Sequence, residues 1–113
     1  MHEMSLCEGV VQLIEEQAHA QNFSKVKTVW LEIGELAGVE TEAMRFSFDA
    51  VAKGSVVEGA KLEIIEIPGR ARCPACARDV QVEARYDDCP ACGYYPLEII
   101  AGEEMRIKEL EVQ

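Results

Sequence analysis

The sequence predicts an α+β fold, in which two helices pack on a three-stranded sheet and a small four-cysteine segment is inserted between the second and third strands. Three patterns predict this fold: helical spacing of apolar residues near the start, strand-like patterns in three later segments, and four of the five cysteines within residues 73–92. At 113 residues, the chain has the length of one domain with an insert. We therefore predict an α+β domain of residues 1–69 and 97–113, and an insert at residues 70–96.

The first predicted helix begins at a capping box, in which the Ser5 hydroxyl accepts a hydrogen bond from the Glu8 amide and the Glu8 carboxylate reaches back. Apolar residues then recur at helical spacing and form a stripe wide enough to pack on a sheet: Leu6, Cys7, Val10, Val11, Leu13, Ile14 and Ala18. The pattern fades near Gln21 and Asn22, so the helix is predicted to end there. We expect Cys7 to pack as a small buried hydrophobe rather than to bind a metal.

The remaining elements follow from changes in the pattern along the chain. Residues 26–33 alternate between apolar and polar and predict a half-buried strand, and residues 41–53 predict the second helix. Residues 60–67 are rich in β-branched side chains and stop at a Pro-Gly pair, which predicts the second strand of the sheet.

Two strand patterns follow the insert, at residues 97–100 and 105–112. In the last strand the alternation slips by one at Lys108 and Glu109, and a β-bulge there would return both halves to the same facing. Within the insert, the sequence predicts a short hairpin with residues 80–83 on the way out and residues 86–88 on the way back.

The charge balance restricts the partners of this chain. Its formal net charge is −10, from 21 acidic and 11 basic residues. Phosphate groups repel a chain this acidic, so we expect no nucleic-acid partner and no membrane partner. The sequence has no transmembrane pattern and its first residues are acidic rather than basic, so we expect a cytoplasmic protein. Cysteines in that reducing compartment are metal ligands or free thiols rather than disulfides.

Four cysteines form two C-x-x-C pairs that are separated by a 12-residue spacer: Cys73, Cys76, Cys89 and Cys92. Two such pairs place four thiolates at the corners of a tetrahedron, which is the geometry of structural Zn(II) sites. A redox function would require a thioredoxin-like context and only one pair. Because sulfur fills all four positions and leaves none for water, we expect a structural zinc ribbon rather than a catalytic zinc site. The insert has few apolar residues, so metal binding is expected to supply its folding energy.

The chain start, Met1-His2-Glu3, has the donor pattern of a second metal site. The His2 amide nitrogen and its own Nδ1 close a six-membered ring on a metal, and the His2 and Glu3 amide nitrogens close a five-membered ring. These three donors occupy three corners of a square plane, an arrangement that selects Ni(II) or Cu(II) over Zn(II). On the residues alone, the alternative is an exposed histidine that binds no metal.

Five segments carry a resemblance to a known family, and they extend along essentially the whole chain. They are Met-His-Glu-Met-Ser-Leu-Cys at 1–7, Trp-Leu-Glu-Ile-Gly-Glu-Leu at 30–36, Glu-Ala-Met-Arg-Phe-Ser-Phe at 42–48, the two cysteine pairs, and Glu-Met-Arg-Ile-Lys-Glu-Leu at 104–110. In this order they resemble the HypA/HybF family of hydrogenase nickel-insertion proteins.

The resemblance implies a nickel metallochaperone for the maturation of [NiFe]-hydrogenase, with the GTPase HypB and the hydrogenase large subunit as partners. It implies nickel ligands at His2 and Glu3, the latter through its backbone nitrogen with its carboxylate in support. Some members add an acidic side chain that corresponds to Glu40, where this chain has Glu and an Asp is known. The four cysteines correspond to the family's zinc ligands. We therefore expect Ni(II) as transferred cargo, Zn(II) as a structural ion, and a monomer or weak dimer.

Two other classes of function are weighed against this one. A zinc-ribbon adaptor would bind basic protein surfaces without transferring nickel. A zinc enzyme would need an open metal position in place of one cysteine, and the sequence provides four complete ligands. It also contains no Ser/His/Asp set, phosphate loop or dinucleotide fingerprint. We therefore expect no catalytic residues, no organic cofactor and no enzyme activity.

Overall fold

The computed structural model describes residues 2–113 and consists of two compact units. Within those residues, the first unit comprises the chain up to Leu31, Val39–Ile64 and Ile107–Gln113. The second unit comprises Glu32–Gly38 and Ile65–Arg106, so it includes the whole of the predicted insert and segments on either side of it. No helix in the described part is both long and apolar enough to cross a membrane.

Residues 2–113 form two helices and two three-stranded sheets. The helices are α1, His2–Gln21, and α2, Thr41–Ala52. The strands, in chain order, are β1 Val26–Gly34, β2 Lys61–Ile67, β3 Gly69–Arg72, β4 Asp79–Val82, β5 Glu98–Ala101 and β6 Met105–Val112. One sheet has the order β2-β1-β6 and the other has the order β4-β3-β5. The predicted α+β class, with two helices, a three-stranded sheet and a four-cysteine segment, is confirmed.

The core of the first unit joins the apolar stripes of both helices to the inner face of β1. Its largest fully buried side chains include Ile14 of α1, Leu31 of β1, and Met44 and Phe48 of α2. Burial of a side chain of this size contributes about 1.5–3 kcal/mol. The helical and alternating patterns of the sequence therefore correspond to one shared core.

Helix α1 begins earlier than the capping box predicts, at His2 rather than at Ser5. Ser5 is an exposed residue within the helix. The additional turn is held by a contact distant in sequence: Glu3 is buried, and its carboxylate Oε2 accepts a hydrogen bond from the Glu40 amide at 3.2 Å. The helix ends where the pattern predicts, and Asn22 follows it with a left-handed φ of 60°.

The second unit contains a small sheet that the sequence pattern only partly predicts. Strand β3 pairs antiparallel with β4 and, on its other side, with β5. The predicted return strand at residues 86–88 is wrong. The carboxylate of Asp87 accepts hydrogen bonds from the amides of Glu83 and Ala84 at 2.9 and 3.1 Å and closes a turn instead. The partner of β4 is therefore β3, which precedes the cysteines.

Hydrophobic burial in the second unit is limited. One cluster has only Leu36, Ala71 and Val82 as buried members. Close backbone packing adds to it, since a Cβ at Gly34 would overlap the carbonyl group of Gly102. The sequence prediction that residues 70–96 lack a large core of their own agrees with this small cluster.

Strand β6 interrupts its alternation at the predicted place. Lys108 and Glu109 are both exposed, whereas Ile107 before them and Leu110 after them are half-buried. In a regular strand, Ile107 and Leu110 would lie on opposite faces. The slip in the sequence pattern is therefore reproduced in the burial of the side chains.

Candidate metal sites

The two C-x-x-C pairs bring four cysteine side chains to one point in the second unit. Their Sγ atoms all lie within 4.8 Å of one another. The Sγ atoms of Cys73 and Cys92 are 3.6 Å apart, and those of Cys76 and Cys89 are 3.8 Å apart. Among the described residues, this is the group of three or more metal-ligating side chains that could hold an ion. The sequence prediction that these four residues come together is confirmed.

Both cysteine pairs have the same backbone conformation. The amide of Ala77 donates to the carbonyl of Cys73 at 2.8 Å, and the amide of Gly93 donates to that of Cys89 at 2.7 Å. In both pairs the amide of the first cysteine donates to the carbonyl five residues later, at 2.9 Å. Ala77 and Gly93 occupy equivalent positions and both have left-handed φ angles, of 62° and 81°. The two turns therefore present their sulfur atoms in equivalent ways.

Two of the four thiols, those of Cys89 and Cys92, have pKa values shifted in opposite directions. Burial raises the pKa of Cys89, but hydrogen bonds from the amides of Cys92 and Ala91, together with those from neighbouring thiols, outweigh it and lower that pKa to about 7. The Tyr94 amide lowers the pKa of Cys92, whereas desolvation and the neighbouring thiols raise it to about 12. The Cys89 thiolate therefore forms readily and opposes the ionisation of Cys92. A bound divalent cation reverses this balance, because a coordinating thiol loses its proton.

The spacing of the sulfur atoms fits a tetrahedral metal ion. A Zn–S bond of about 2.3 Å in a regular tetrahedron places neighbouring sulfurs roughly 3.8 Å apart. The Sγ atoms of Cys73 and Cys92, 3.6 Å apart, and those of Cys76 and Cys89, 3.8 Å apart, agree with that separation. Additionally, the Cys76 amide lies 3.5 Å from the Cys73 sulfur and can stabilise its negative charge. The donor set and these two distances therefore fit a closed metal site with four thiolate ligands.

The second candidate site lies at the start of α1, in the first unit. His2 is exposed, and its Nε2 lies 3.2 Å from Oε2 of Glu3. Hydrogen bonding from the Glu40 amide is the largest cause that lowers the pKa of Glu3, against the opposing effect of desolvation. Glu3 is thus a buried carboxylate, fixed at its oxygen, beside an accessible imidazole. Met1, the remaining residue of this predicted site, lies outside the described residues.

The helical conformation leaves the predicted nitrogen donors available. The first four N–H groups of an α-helix have no acceptor within the helix. Because α1 begins at His2, the amides of His2 and Glu3 belong to this group. The helix therefore does not occupy the backbone nitrogens that the chelate would use.

Glu40 lies close to Glu3, but its side chain caps α2 and does not contact Glu3. Its Oε1 accepts a hydrogen bond from the Glu42 amide at 2.8 Å and so caps the start of α2. Its backbone amide, rather than its carboxylate, contacts Glu3. The sequence analysis missed this amide, because every residue except proline has one and no side-chain pattern distinguishes it.

Cys7 lies one turn further along α1 and is fully buried. Its Sγ is 3.4 Å from the carbonyl oxygen of Met44 and 3.6 Å from the Met44 sulfur. Burial, with a smaller contribution from Glu3, raises the pKa of the Cys7 thiol to about 11. The prediction that Cys7 packs as a buried hydrophobe is confirmed.

Comparisons with known proteins agree with the family resemblance seen in the sequence, and they extend along nearly the whole chain. The family model described as "Hydrogenase/urease nickel incorporation, metallochaperone, hypA" matches residues 1–112. Two proteins named hydrogenase maturation factor HypA, from Azotobacter chroococcum mcd 1 and Azotobacter vinelandii, are 60% and 57% identical to this chain. Each of these alignments spans 113 residues and covers 100% of both chains.

Solved structures show the same similarity in three dimensions. The solution structure of the Ni metallochaperone HypA from Helicobacter pylori has a TM-score of 0.71 at 27% identity, and the match covers 97% of this chain and 96% of that one. A second structure, described as the solution structure of HypA protein, has a TM-score of 0.73 at 28% identity and covers 100% and 97% of the two chains.

Proposed function

Because this chain belongs to the HypA family of hydrogenase and urease nickel-incorporation metallochaperones, we propose that it binds Ni(II) at its N-terminus and delivers it during the maturation of [NiFe]-hydrogenase. The names of its relatives support the hydrogenase as the recipient, since the first several are hydrogenase maturation factors at 53–60% identity. In this proposal Ni(II) is cargo, and a Zn(II) ion in the four-cysteine site is structural.

One observation supports the nickel site above the others. An exposed His2 adjoins Glu3, whose buried carboxylate is fixed to the Glu40 amide at the start of α2. The chain start is thereby held against the fold, while the imidazole and the free helix amides remain accessible to a metal. His2 would bind through its amide and Nδ1, and Glu3 through its amide, with the Glu3 carboxylate as a positioning group. Glu40 is the least supported ligand, because its Oε1 already caps α2.

The four-cysteine site would hold Zn(II) and not the cargo. Four sulfur donors at tetrahedral spacing favour zinc, whereas nitrogen donors in a plane favour nickel. The second unit has only a small buried cluster, so the bound ion would supply much of its folding free energy. A free-thiol cluster of this kind requires a reducing compartment, which supports the cytoplasm as the location.

The partners follow from the proposed function. Nickel delivery to [NiFe]-hydrogenase requires contact with the hydrogenase large subunit, and the family resemblance adds the GTPase HypB. A net charge of −10 favours basic partner surfaces. The site also suits transfer chemically, because a three-donor site at the end of a chain leaves coordination positions open to an incoming ligand.

The test compares the untagged wild type with His2→Ala and His19→Ala. His19 is the other histidine, it is exposed, and it lies at the opposite end of α1, so it is a matched control. We expect nickel binding, measured by equilibrium dialysis, to be lost in His2→Ala and kept in His19→Ala, with one zinc per chain in all three proteins. X-ray absorption spectra of the nickel-loaded wild type are expected to show a planar, nitrogen-rich site. Unchanged nickel binding in His2→Ala would contradict the proposal.

The alternative function is a zinc-ribbon adaptor that does not use its chain start. An N-terminal extension separates the two functions, because it converts the first residues into internal ones and changes the charge and geometry around His2. We expect the extension to abolish nickel transfer to apo-hydrogenase large subunit and to leave the zinc content unchanged. An adaptor would tolerate the extension.

A further inference from the structure

The apolar side chains of β6 are less covered than those of β1, although both strands belong to one sheet. Val29 and Leu31 of β1 are fully buried. On β6, Ile107 and Leu110 are only half-buried, and Val112 is 45% exposed. β1 lies at the centre of the β2-β1-β6 sheet and β6 at its edge. The cover that β6 lacks is therefore that of a further strand on its outer side.

A groove between α1 and β6 lies beside these side chains, within the first unit. It has a volume of about 710 Å³, which is within the range of about 300–1,000 Å³ for pockets that bind ligands. Leu13 of α1, which lines it, is 55% exposed. Most of its lining is apolar: Leu13, Ile14, Ala20, Phe23, Ile107, Leu110 and Val112. Exposed apolar surface of this kind is typical of an interaction site.

We propose that the groove and the outer edge of β6 together bind an extended segment of a partner protein, which adds a fourth strand to the sheet. Among residues 2–113, no strand pairs with that side of β6, so its backbone groups can bond to a new strand. Side chains alternate along a strand, and every second side chain of the segment would enter the groove. A helix could fill the groove but would leave the strand edge unpaired, so the geometry favours a strand.

The charge around the groove specifies the chemistry of the partner segment. Glu16, Lys108 and Glu109 are the charged residues that line the groove, and together they carry one negative charge. Helix α1, which forms one wall, contains four glutamates and no lysine or arginine. The whole chain carries −10. The segment is therefore one in which apolar residues alternate with lysine or arginine, since positive charge is attracted to this wall and acidic segments are repelled.

A short synthetic peptide in which lysine and valine alternate is the probe for this site. We expect it to bind with saturation and to shift the amide resonances of β6 and of the groove wall around Leu13 in two-dimensional NMR spectra. The amides of β6 are also expected to exchange more slowly with solvent, because the new strand protects them. A second peptide of the same composition, with all its valines grouped at one end, has the same charge but cannot place alternate valines in the groove. It is expected to bind at least about fivefold more weakly.

A matched pair of variants tests the groove from the side of the protein. Leu13→Gln removes an exposed apolar side chain from the groove without changing the charge, and we expect it to raise the dissociation constant of the alternating peptide at least about fivefold. Phe46→Gln is the control, because Phe46 is 76% exposed on α2 and does not line the groove. It is expected to bind the peptide like the wild type. Both positions are exposed, and circular dichroism checks that both variants fold.

Each of several results would overturn the proposal. They are no saturable binding of the alternating peptide up to on the order of 1 mM, equal binding of the two peptides, unchanged binding by Leu13→Gln, and equal weakening by Phe46→Gln. If the same resonances shift when the protein alone is concentrated, the groove binds a second copy instead. No residue that lines the groove is a proposed nickel ligand, so these outcomes are independent of the proposed nickel site.

Discussion

The two equivalent turns of the cysteine pairs allow a matched pair of substitutions. The position after the second cysteine has a left-handed φ in both, but it is Ala77 in one turn and Gly93 in the other. This conformation is sterically destabilised by about 1–2 kcal/mol for alanine, whereas glycine, which has no Cβ, adopts it without strain. We therefore predict that Ala77→Gly stabilises the metal-bound segment and that Gly93→Ala destabilises it.

The magnitude follows from two opposing effects. Both positions are exposed, and no atom lies within 4 Å of a Cβ placed at Gly93, so neither change alters packing. Glycine has greater freedom in the unfolded chain, which offsets about 0.4–1 kcal/mol of the steric effect. The expected net changes are about 0.5–1.5 kcal/mol, stabilising for Ala77→Gly and destabilising for Gly93→Ala. Where folding of the segment is coupled to metal binding, this corresponds to a change of about two- to tenfold in zinc affinity.

Competition with a chromophoric zinc chelator measures both variants against the wild type. The double variant Ala77→Gly/Gly93→Ala is expected to return close to the wild-type affinity, because the two turns contribute separately. Shifts of the two single variants in the same direction, or no shift in either, would refute the argument that backbone conformation at this position controls the stability of the site.

Three further predictions concern the rest of the chain. Gly34→Ala is expected to lower the free energy of unfolding by about 3 kcal/mol or more in urea, since its methyl group overlaps the Gly102 carbonyl; an unchanged midpoint would contradict that contact. The pKa of Glu3 is lowered by the Glu40 amide, so the stability it contributes is present above its ordinary value of 4.5 and is lost as the pH falls through the lower folded pKa. The thermal unfolding midpoints of Glu3→Gln and the wild type are accordingly expected to converge in acid. A constant difference between these midpoints at every pH would argue against a hydrogen bond from the Glu40 amide to the ionised Glu3 carboxylate. Removal of zinc by a chelator is expected to increase amide hydrogen exchange in residues 70–96 and to leave α1 and α2 protected, whereas loss of helical circular dichroism would show that the first unit also depends on the metal.

Local patterns were sufficient for most elements of this fold. The periodicity of apolar residues predicted β1, α2 and β6 closely, because these elements are amphipathic and each packs one face into a core. The four-cysteine site was equally predictable, since the C-x-x-C spacing fixes each turn locally. The return strand at residues 86–88 was not predictable, because the Asp87 side chain offers the backbone a turn that competes with pairing. The predicted domain boundaries at 69/70 and 96/97 remain a prediction.

The sequence by itself determined the α+β class, the cluster of four cysteines and the family, because each rests on side-chain types at fixed spacings. Only the tertiary structure decided where α1 begins and how its first residues are held. The Glu3 carboxylate and the Glu40 amide are 37 positions apart, and the donor is a backbone group. The structure also decided that β3 rather than a return strand pairs with β4. Contacts between segments distant in sequence depend on how the chain returns to itself, and no local pattern specifies that.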